Sequence, residues 1–247
     1  MESSVAKLEI IAFNIASCEI AQAAGAARIE LCDNPADGGT TPSYGFIKAA
    51  RAALAIDLYV MLRPRGGDFL YSDAEFEIIK SDLAVCKELG CDGIVIGLLN
   101  PDGSVDSQRT RELVELARPM GVTFHRAFDR TRDPSAALET IIQSGCERIL
   151  TSGQRPNCMD GAPLIAELRK QAEDRIIIMP GSGLKAANFA EVAKATGATE
   201  FHASARTLKP SRMAFAAPEM DEDLQSVMVD GDEVRAIIGL LRNFRTI

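Results

Sequence analysis

The sequence contains no tryptophan, few other aromatic residues and no excess of positive charge. Aromatic residues make up 5% of the 247 residues, and 27 lysines and arginines stand against 35 aspartates and glutamates, a formal net charge of −8. Proteins that bind nucleic acids usually present a basic surface that attracts the phosphate backbone. We therefore expect no nucleic acid partner.

Long apolar runs and a secretory leader are also missing. The longest apolar runs, such as residues 176–179, are far shorter than the roughly 18 residues of a membrane-spanning helix, and residues 1–4 do not resemble a leader. The six cysteines are spread through predicted helices and strands and do not form the pattern of a disulfide framework. We expect no membrane partner, no disulfides and a reducing, cytoplasmic compartment.

The glycine motifs of nucleotide-binding folds are missing as well. Neither G-x-G-x-x-G nor G-x-x-x-x-G-K-[ST] follows the first predicted strand. In those folds the glycines let the backbone approach the phosphates closely. We therefore expect no nucleotide cofactor.

What the sequence does have is a strand followed by a helix, eight times over. Short β-type runs alternate with segments of helical periodicity. The predicted strands are residues 8–13, 28–31, 57–62, 93–96, 122–125, 148–151, 175–179 and 200–202, and the predicted helices are residues 18–24, 44–54, 72–89, 107–118, 134–144, 162–172, 186–196 and 234–243. This alternation predicts an α/β fold with parallel strands.

Two architectures fit eight parallel strands: a closed (β/α)8 barrel of the TIM type and an open doubly wound sheet. A length of about 250 residues is typical of the barrel, and the missing nucleotide motifs weigh against the open sheet. We predict a single barrel domain over residues 1–247, with a long irregular loop at about 206–232 before the last helix. Such a loop is a lid, an interface arm or a disordered segment. It contains Pro218 and the acidic residues Asp221, Glu222 and Asp223.

The two faces of the predicted strands differ in polarity, because side chains alternate along a strand. One face is apolar, with Leu8, Ile10, Ile29, Leu31, Val60, Leu62, Phe124 and Phe201. The other face is polar, with Glu9, Arg28, Glu30, Cys32, Arg63, Thr123, His125, Glu200, His202 and Ser204. Helices must cover the apolar face, so we expect the polar face to line the barrel interior. Unpaired buried charge is costly, and the interior is therefore either an ion-pair network or a hydrated pocket.

Polar residues also cluster at the strand ends, where barrels build their active sites. In an enzyme for a small anionic substrate, Glu9, Glu30 or His125 would move a proton. The candidate anion-binding residues are Arg63, Arg65, Ser152, Gly181, Gly183, His202 and Ser204. The structural alternatives are a salt bridge from Arg63 to Glu9 or Glu30, and histidines that are only hydrogen-bonded core residues.

Cys32 is the candidate metal ligand. A thiolate at a strand end can bind a soft ion such as Cu(I). The alternative is a buried free cysteine that packs as a small apolar residue, which is how we interpret Cys86, Cys91 and Cys146.

Six motifs occur in a fixed order along about residues 7–206. They are Arg28-Ile-Glu-Leu-Cys32, Gly38-Gly-Thr-Thr-Pro-Ser43, Arg63-Pro-Arg-Gly-Gly-Asp-Phe-Leu-Tyr-Ser72, Thr123-Phe-His-Arg-Ala-Phe-Asp129, Leu150-Thr-Ser-Gly153 and Glu200-Phe-His-Ala-Ser204. Together they resemble the copper homeostasis protein CutC family. The resemblance implies a (β/α)8 or closely related barrel, a cytoplasmic location, a homo-oligomer (dimer or tetramer) and a role in handling Cu(I), with Cys32 and either His125 or His202 as ligands.

Two positions depart from the family pattern. Members often carry Glu-x-Cys in the first strand, where this chain has Glu9-Ile-Ile11, and some carry a cysteine directly after the last strand's histidine, where this chain has Ala203. Cu(I) prefers two or three soft ligands, so Cys32 with one histidine or methionine provides only the minimum number of ligands for this ion. Two hypotheses stay open: a Cu(I)-binding protein of copper homeostasis, and a barrel enzyme that transfers a proton on a small anionic substrate.

Overall fold

The computed structural model describes residues 6–215, 217, 219–220 and 223–243. Strands and helices alternate along almost the whole of this part of the chain. The strands are β1 (Lys7–Ala12), β2 (Arg28–Leu31), β3 (Asp57–Met61), β4 (Gly93–Ile96), β5 (Gly121–Phe124), β6 (Arg148–Thr151), β7 (Ile177–Pro180), β8 (Glu200–Ala203), β9 (Arg206–Lys209) and β10 (Ser226–Val229). The helices are α1 (Ile15–Ala23), α2 (Tyr44–Ala53), α3 (Asp73–Glu88), α4 (Ser107–Ala117), α5 (Pro134–Ser144), α6 (Ala162–Ala172), α7 (Ala186–Thr196) and α8 (Gly231–Asn243).

Strands β1 to β8 form one parallel sheet that is nearly closed into a barrel. The hydrogen-bonded order is β7-β6-β5-β4-β3-β2-β1-β8, so β8 returns to pair with β1, and β7 lies beside β8. The predicted (β/α)8 barrel is confirmed. All carboxyl ends of these strands lie at one end of the barrel, where the loops meet.

The apolar face of the strands packs against the helices, as the alternation predicts. Leu8, Ile10, Ile29, Phe124 and Phe201 are completely buried and belong to one large core cluster between strands and helices. Burying a side chain of this size contributes about 1.5–3 kcal/mol, so this layer provides the main stabilisation. The opposite face is thereby left to the polar residues.

Side-chain caps set where several helices begin. Ser72 and Glu75 form a capping box at the start of α3, and Asp133 caps α5 ahead of Pro134. Helix α1 begins three residues earlier than predicted, because the Asn14 side chain accepts a hydrogen bond from Ser17 N. Described residues hold no helix long and apolar enough to cross a membrane, and all six cysteines are free and buried.

The segment predicted as an irregular loop at 206–232 contains regular structure, which corrects that prediction. Strands β9 and β10 pair as an antiparallel ribbon, with Arg206 opposite Val229. Asn14 Nδ2 donates to Val227 O, and Val229 N donates to Ser17 Oγ, so helix α1 holds the ribbon in place. The sequence hides β9 because its four residues are mostly exposed and polar. Pro218, Asp221 and Glu222 lie outside the described residues.

Candidate functional site

The amino end of the barrel interior is filled by a network of buried charges. Glu200 Oε2 accepts from Arg28 Nη1 at 3.0 Å and from Arg148 Nε at 2.7 Å, and Glu9 Oε2 lies 3.3 Å from Arg28 Nη1. Each of these four side chains is at most 9% exposed. Pairing of this kind is what allows charge to be buried. The network alternative for the interior is therefore present.

Tyr59 and Glu147 complete this network, and sequence reasoning missed both. The Tyr59 hydroxyl donates to Glu147 Oε1 at 2.5 Å, and the guanidinium carbons of Arg28 and Arg148 lie 4.7 and 5.5 Å from the centre of the Tyr59 ring. Arginines stack favourably on aromatic faces. Tyr59 shares the inward parity of β3, and that parity was the available signal. Arg148, which was also not predicted, shares the inward parity of β6, whereas Glu147 precedes β6 and had no such signal.

Above the network, His202 lies between two carboxylates. His202 Nδ1 is 2.7 Å from Glu9 Oε1, and His202 Nε2 is 3.9 Å from Glu30 Oε2. Burial alone would raise the pKa of Glu9, but the hydrogen bond and charge of His202, together with Arg28, outweigh it and lower that pKa to about 2. The two carboxylates raise the pKa of His202 despite its burial. Glu9 therefore fixes the imidazole, and Nε2 points away from it toward Glu30.

Glu30 has a different environment from Glu9. Burial raises the pKa of Glu30 to about 7, although the charge of His202 opposes that shift. Its Oε2 accepts from Cys32 Sγ at 3.7 Å, while its buried Oε1 has no hydrogen-bond partner among the described residues. Two carboxylates four ångströms or less from one imidazole thus have pKa values shifted in opposite directions, a pattern typical of proton-transfer sites.

A cavity of about 560 Å³ opens above Glu30 and His202 at the carboxyl ends of the strands. The hydrated-pocket alternative is therefore present as well. Six of the predicted site residues line the cavity: Glu30, Arg63, His125, His202 and Ser204, and Gly183 from the loop after β7. Glu9 lies beneath, in contact with His202.

Three other predicted anion-binding residues lie outside the lining of this cavity. Arg65 forms ion pairs with Glu75 and Asp68 at the start of α3. Ser152 Oγ lies within hydrogen-bond distance of the Asp129 carboxylate and of Arg155 O, and its one hydroxyl hydrogen can donate to either acceptor. Gly181 has a packing role instead, because a Cβ there would lie 2.5 Å from Leu150 Cδ1 and 3.1 Å from His202 Cβ.

The arginines that line the cavity differ in how many of their N–H groups already donate hydrogen bonds within the protein. Arg63 Nη1 donates to Asp37 O and Gly39 O, and its Nη2 donates to Gly67 O, so it ties two loops together. The predicted alternative, a salt bridge from Arg63 to Glu9 or Glu30, is wrong: backbone carbonyls of the neighbouring loops accept from Nη1 and Nη2, and the buried Nε has no partner among the described residues.

Three further arginines line the cavity, and none was among the predicted site residues. Arg126 pairs with Asp129 and donates to Ser152 Oγ. Arg130 and Arg206, in contrast, make no side-chain hydrogen bond or ion pair with any residue that the structure describes, although Arg206 packs on the Phe13 ring. Arg206 continues the inward parity of residues 200, 202 and 204, and that signal was available in the sequence.

The loop after β7 presents backbone to the cavity. Ser182 and Gly183 both have positive φ angles, 75° and 73°, and both line the cavity. A serine rarely adopts this conformation, which costs on the order of 1 kcal/mol or more. Here Ser182 Oγ is held by donation to Pro156 O. The hydroxyl therefore points to the loop after β6. The backbone of residues 182–183 lies at the cavity, in the region where many barrels bind phosphate.

Cys32 is completely buried and lies behind Glu30, outside the cavity lining. Burial and the neighbouring Glu30 raise the pKa of its thiol well above the usual range. It packs in a small apolar cluster with Met61, which does line the cavity. A soft ion could reach Cys32 and Met61 only after displacing the thiol proton.

A second group of potential metal ligands in the interior consists of carboxylate and imidazole groups, which suit harder ions than Cu(I). One donor atom from each of Glu9, Glu30 and His202 lies within 4.8 Å of the others. Oxygen and imidazole ligands suit divalent ions better than Cu(I). The donor set closest to the cavity is therefore poorly matched to the copper ion implied by the resemblance.

Comparisons with known proteins place the chain in one family. The model of the CutC family matches residues 6–207. A CutC family protein from Chromobacterium violaceum is 54% identical over 84% of both chains, and the human copper homeostasis protein cutC homolog is 46% identical over 84% of this chain and 76% of that protein. A crystal structure of CutC from Streptococcus agalactiae superimposes with a TM-score of 0.77 at 34% identity, covering 81% of this chain and 98% of the other. This chain belongs to the CutC family.

Proposed function

We propose that this protein takes part in copper homeostasis, the process for which its human relative is named, and that it acts through the barrel cavity. Six buried free thiols suit a reducing compartment, so we place this action in the cytoplasm. What the cavity binds is a separate question, and the two hypotheses from the sequence give different answers.

A small molecule that carries a phosphate or carboxylate is the ligand that the geometry supports best. The single observation that carries this proposal is the pair Arg130 and Arg206, two cations whose side chains form no hydrogen bond or ion pair with the described residues, at the cavity that has Glu30 and His202 at its base. Arginines bind carboxylate and phosphate through charge-assisted hydrogen bonds. The backbone of Ser182 and Gly183 adds a surface of the kind that binds anions in other barrels.

The chemistry proposed for this ligand is proton transfer. Glu30 has a buried oxygen without a partner at the cavity, and His202 stands next to it with its ring fixed by Glu9. A carboxylate placed this way can take a proton from a bound molecule, and His202 can stabilise the resulting charges. Below the cavity, Arg28 pairs with Glu9 and Arg148 pairs with Glu200, and these ion pairs keep both carboxylates ionised. This network supports Glu30 and His202 from beneath.

Thermal unfolding with inorganic phosphate as the probe tests the anion proposal. A ligand that binds only the folded state at 100 times its Kd stabilises it by about 2.7 kcal/mol. We expect phosphate to raise the Tm of the wild type and to leave the Tm of Arg206→Gln unchanged. The control is Arg65→Gln, which changes an arginine outside the cavity, and phosphate should raise its Tm as in the wild type. Equal shifts in all three proteins, or none in any, would contradict the proposal.

Cu(I) binding at Cys32 is the second candidate, supported by the packing of Cys32 against Met61 beside Glu30 and His202. Anaerobic Cu(I) titration of the wild type, Cys32→Ser and the control Cys158→Ser tests it. High-affinity binding that disappears only in Cys32→Ser supports this candidate, because oxygen is a poor ligand for a soft ion. Identical weak binding in all three proteins rejects it.

We also propose that the protein is a homo-oligomer, as the resemblance implies. The ribbon of β9 and β10 and the segment between them expose large apolar side chains, including Leu208, Met213 and Phe215. Exposed apolar groups of this kind are typical of interfaces. Light scattering on the purified chain should give the mass of a dimer or tetramer; the mass of a monomer at micromolar concentration would reject this proposal.

A further inference from the structure

His125 is held on the cavity wall by its neighbours on both sides. The Phe69 ring lies 5.0 Å away, centre to centre. On another side Gly97 leaves room for the imidazole, because a Cβ at that position would lie 2.3 Å from His125 Cε1. The ring therefore has one orientation, with 3% of the residue exposed.

The hydrogen bonds of His125 decide which nitrogen carries the proton. Ala127 N donates to His125 Nδ1 at 3.1 Å. A backbone N–H can only donate, so Nδ1 is the bare nitrogen and Nε2 carries the hydrogen of the neutral ring. Burial and the charge of Arg63 lower the pKa of His125 to about 3, which keeps the ring neutral under physiological conditions. His125 thus offers a single N–H group at Nε2.

Among the described residues that line this cavity, three buried polar atoms have no partner: the donor Arg63 Nε, and two others of opposite character. One is His125 Nε2, a donor, and the other is Glu30 Oε1, an acceptor. Both residues line the same cavity as Arg130 and Arg206. Buried polar atoms normally have partners, and an exception points to a missing ligand. The missing ligand should therefore present an acceptor to His125 and a proton to Glu30.

We propose that this ligand is a carbonyl compound that carries the anionic group, with its carbonyl oxygen on His125 Nε2–H and the neighbouring C–H at Glu30. The inference rests on the anion-binding function proposed above and names the substrate class and reaction. Glu30 takes the proton from the carbon, the C–H electron pair forms a C=C bond, and the carbonyl pair moves to the oxygen. The enolate oxygen keeps the hydrogen bond from His125. Reversal returns a proton to carbon, so no oxidant or reductant is consumed.

This assignment gives His125 a fixed role as hydrogen-bond donor and leaves proton removal to Glu30. A neutral imidazole with Nε2–H can polarise a carbonyl without giving up its proton. Removing one such donor to a developing oxyanion typically costs about 10²–10³-fold in rate. We therefore expect His125→Phe to lower the rate of proton exchange by at least about 10²-fold.

Exchange of carbon-bound hydrogen in D2O, followed by NMR, tests the reaction with two named probes. The probes are dihydroxyacetone phosphate and pyruvate, and the controls are glycerol 3-phosphate and lactate, in which a hydroxyl replaces the carbonyl. We expect exchange in at least one probe with the wild type, loss of it in His125→Phe, and partial retention in His125→Gln, whose amide can still donate. Tm values for each variant show whether it is folded.

Imidazole ¹⁵N NMR provides a readout that does not depend on the choice of substrate. We expect His125 to show a protonated Nε2 and a bare Nδ1 from pH 5 to pH 8. A protonated Nδ1 or an imidazolium in this range overturns the inference, as does the binding of probes without exchange in the wild type. If neither the probes nor inorganic phosphate raise the Tm, the anion-binding function itself has failed, and the inference fails with it.

Discussion

Glu200 is the residue on which the charge balance of the barrel interior depends. Its carboxylate accepts hydrogen bonds from two buried arginines, Arg28 and Arg148. Burial would raise the pKa of Glu200, but the charges of these arginines lower it. Two cations at 3% exposure would lose their shared counterion if this carboxylate were neutral. Removing one partner of a buried ion pair strongly destabilises the folded state, because it leaves a buried charge uncompensated.

We predict that Glu200→Gln lowers the free energy of unfolding by about 3–5 kcal/mol, because it leaves buried charge uncompensated. The matched control is Glu115→Gln, which removes an exposed carboxylate that pairs with Arg118. Exposed ion pairs contribute little, so the control should be close to wild type. Urea denaturation measures both values; a loss in Glu200→Gln no larger than in the control contradicts the network.

The titration of His125 predicts how the stability of the folded protein depends on pH. Burial, Arg63 and Arg126 lower its pKa from 6.5 to about 3, while Asp129 opposes them. The unfolded chain therefore binds a proton at higher pH than the folded chain, and the stability from neutral His125 is complete above pH 6.5 and is lost as the pH falls toward 3.

We expect the free energy of unfolding to fall by at most about 1.4 kcal/mol per pH unit from this group within that window. In His125→Gln the contribution is missing, so its stability should vary less between pH 6.5 and pH 4 than that of the wild type. Parallel curves for the two proteins would show that folding does not lower the pKa of His125.

At the scale of elements, helix α1 connects the barrel to the β9–β10 ribbon. Asn14 caps α1 through Ser17 N and also donates to Val227 O in β10. Ser17 Oγ accepts from Val229 N at the end of the same strand. The amino end of one helix thus determines where a distant ribbon lies, and through β9 it sets the position of Arg206 at the cavity.

We predict that Asn14→Ala costs more than an ordinary helix cap. Loss of a cap alone costs about 0.5–2 kcal/mol. Ser43→Ala is the control, since Ser43 caps α2 through Phe46 N without holding a second element. The Asn14 variant should lose more stability than the control and should exchange the amide hydrogens of β10 faster. If both variants behave alike, α1 does not hold the ribbon.

The elements of the barrel were predictable because local rules and the fold agree. Apolar alternation marked the strands, and helical periodicity predicted the helices at 72–89 and 134–144 to within one residue of α3 and α5. The ribbon was not predictable, because β9 is short and exposed and pairs with a strand at a distance in the sequence. Its stability comes from contacts with α1, and no local pattern in residues 206–209 encodes those contacts.

At the scale of the whole molecule, the closure of the sheet brings distant residues into one site. Glu9 from β1 meets His202 from β8, 193 positions apart, because β8 pairs with β1. Parity and the strand-end rule predicted Glu30, His125 and His202 at the cavity. The sequence could not separate Arg63, whose Nη1 and Nη2 donate to carbonyls, from Arg206, whose donors have no partners among the described residues, since that difference depends on loop backbone.

Arg130 and Arg206 are expected to bind an anion above Glu30 and His202. A crystal structure of the protein soaked with dihydroxyacetone phosphate and, separately, with Cu(I) under anaerobic conditions tests this binding most directly. We expect phosphate density between Arg130, Arg206 and the Ser182–Gly183 backbone, and no copper at Cys32. Copper bound to Cys32 and Met61, with the cavity holding only water in the phosphate soak, would contradict this expectation.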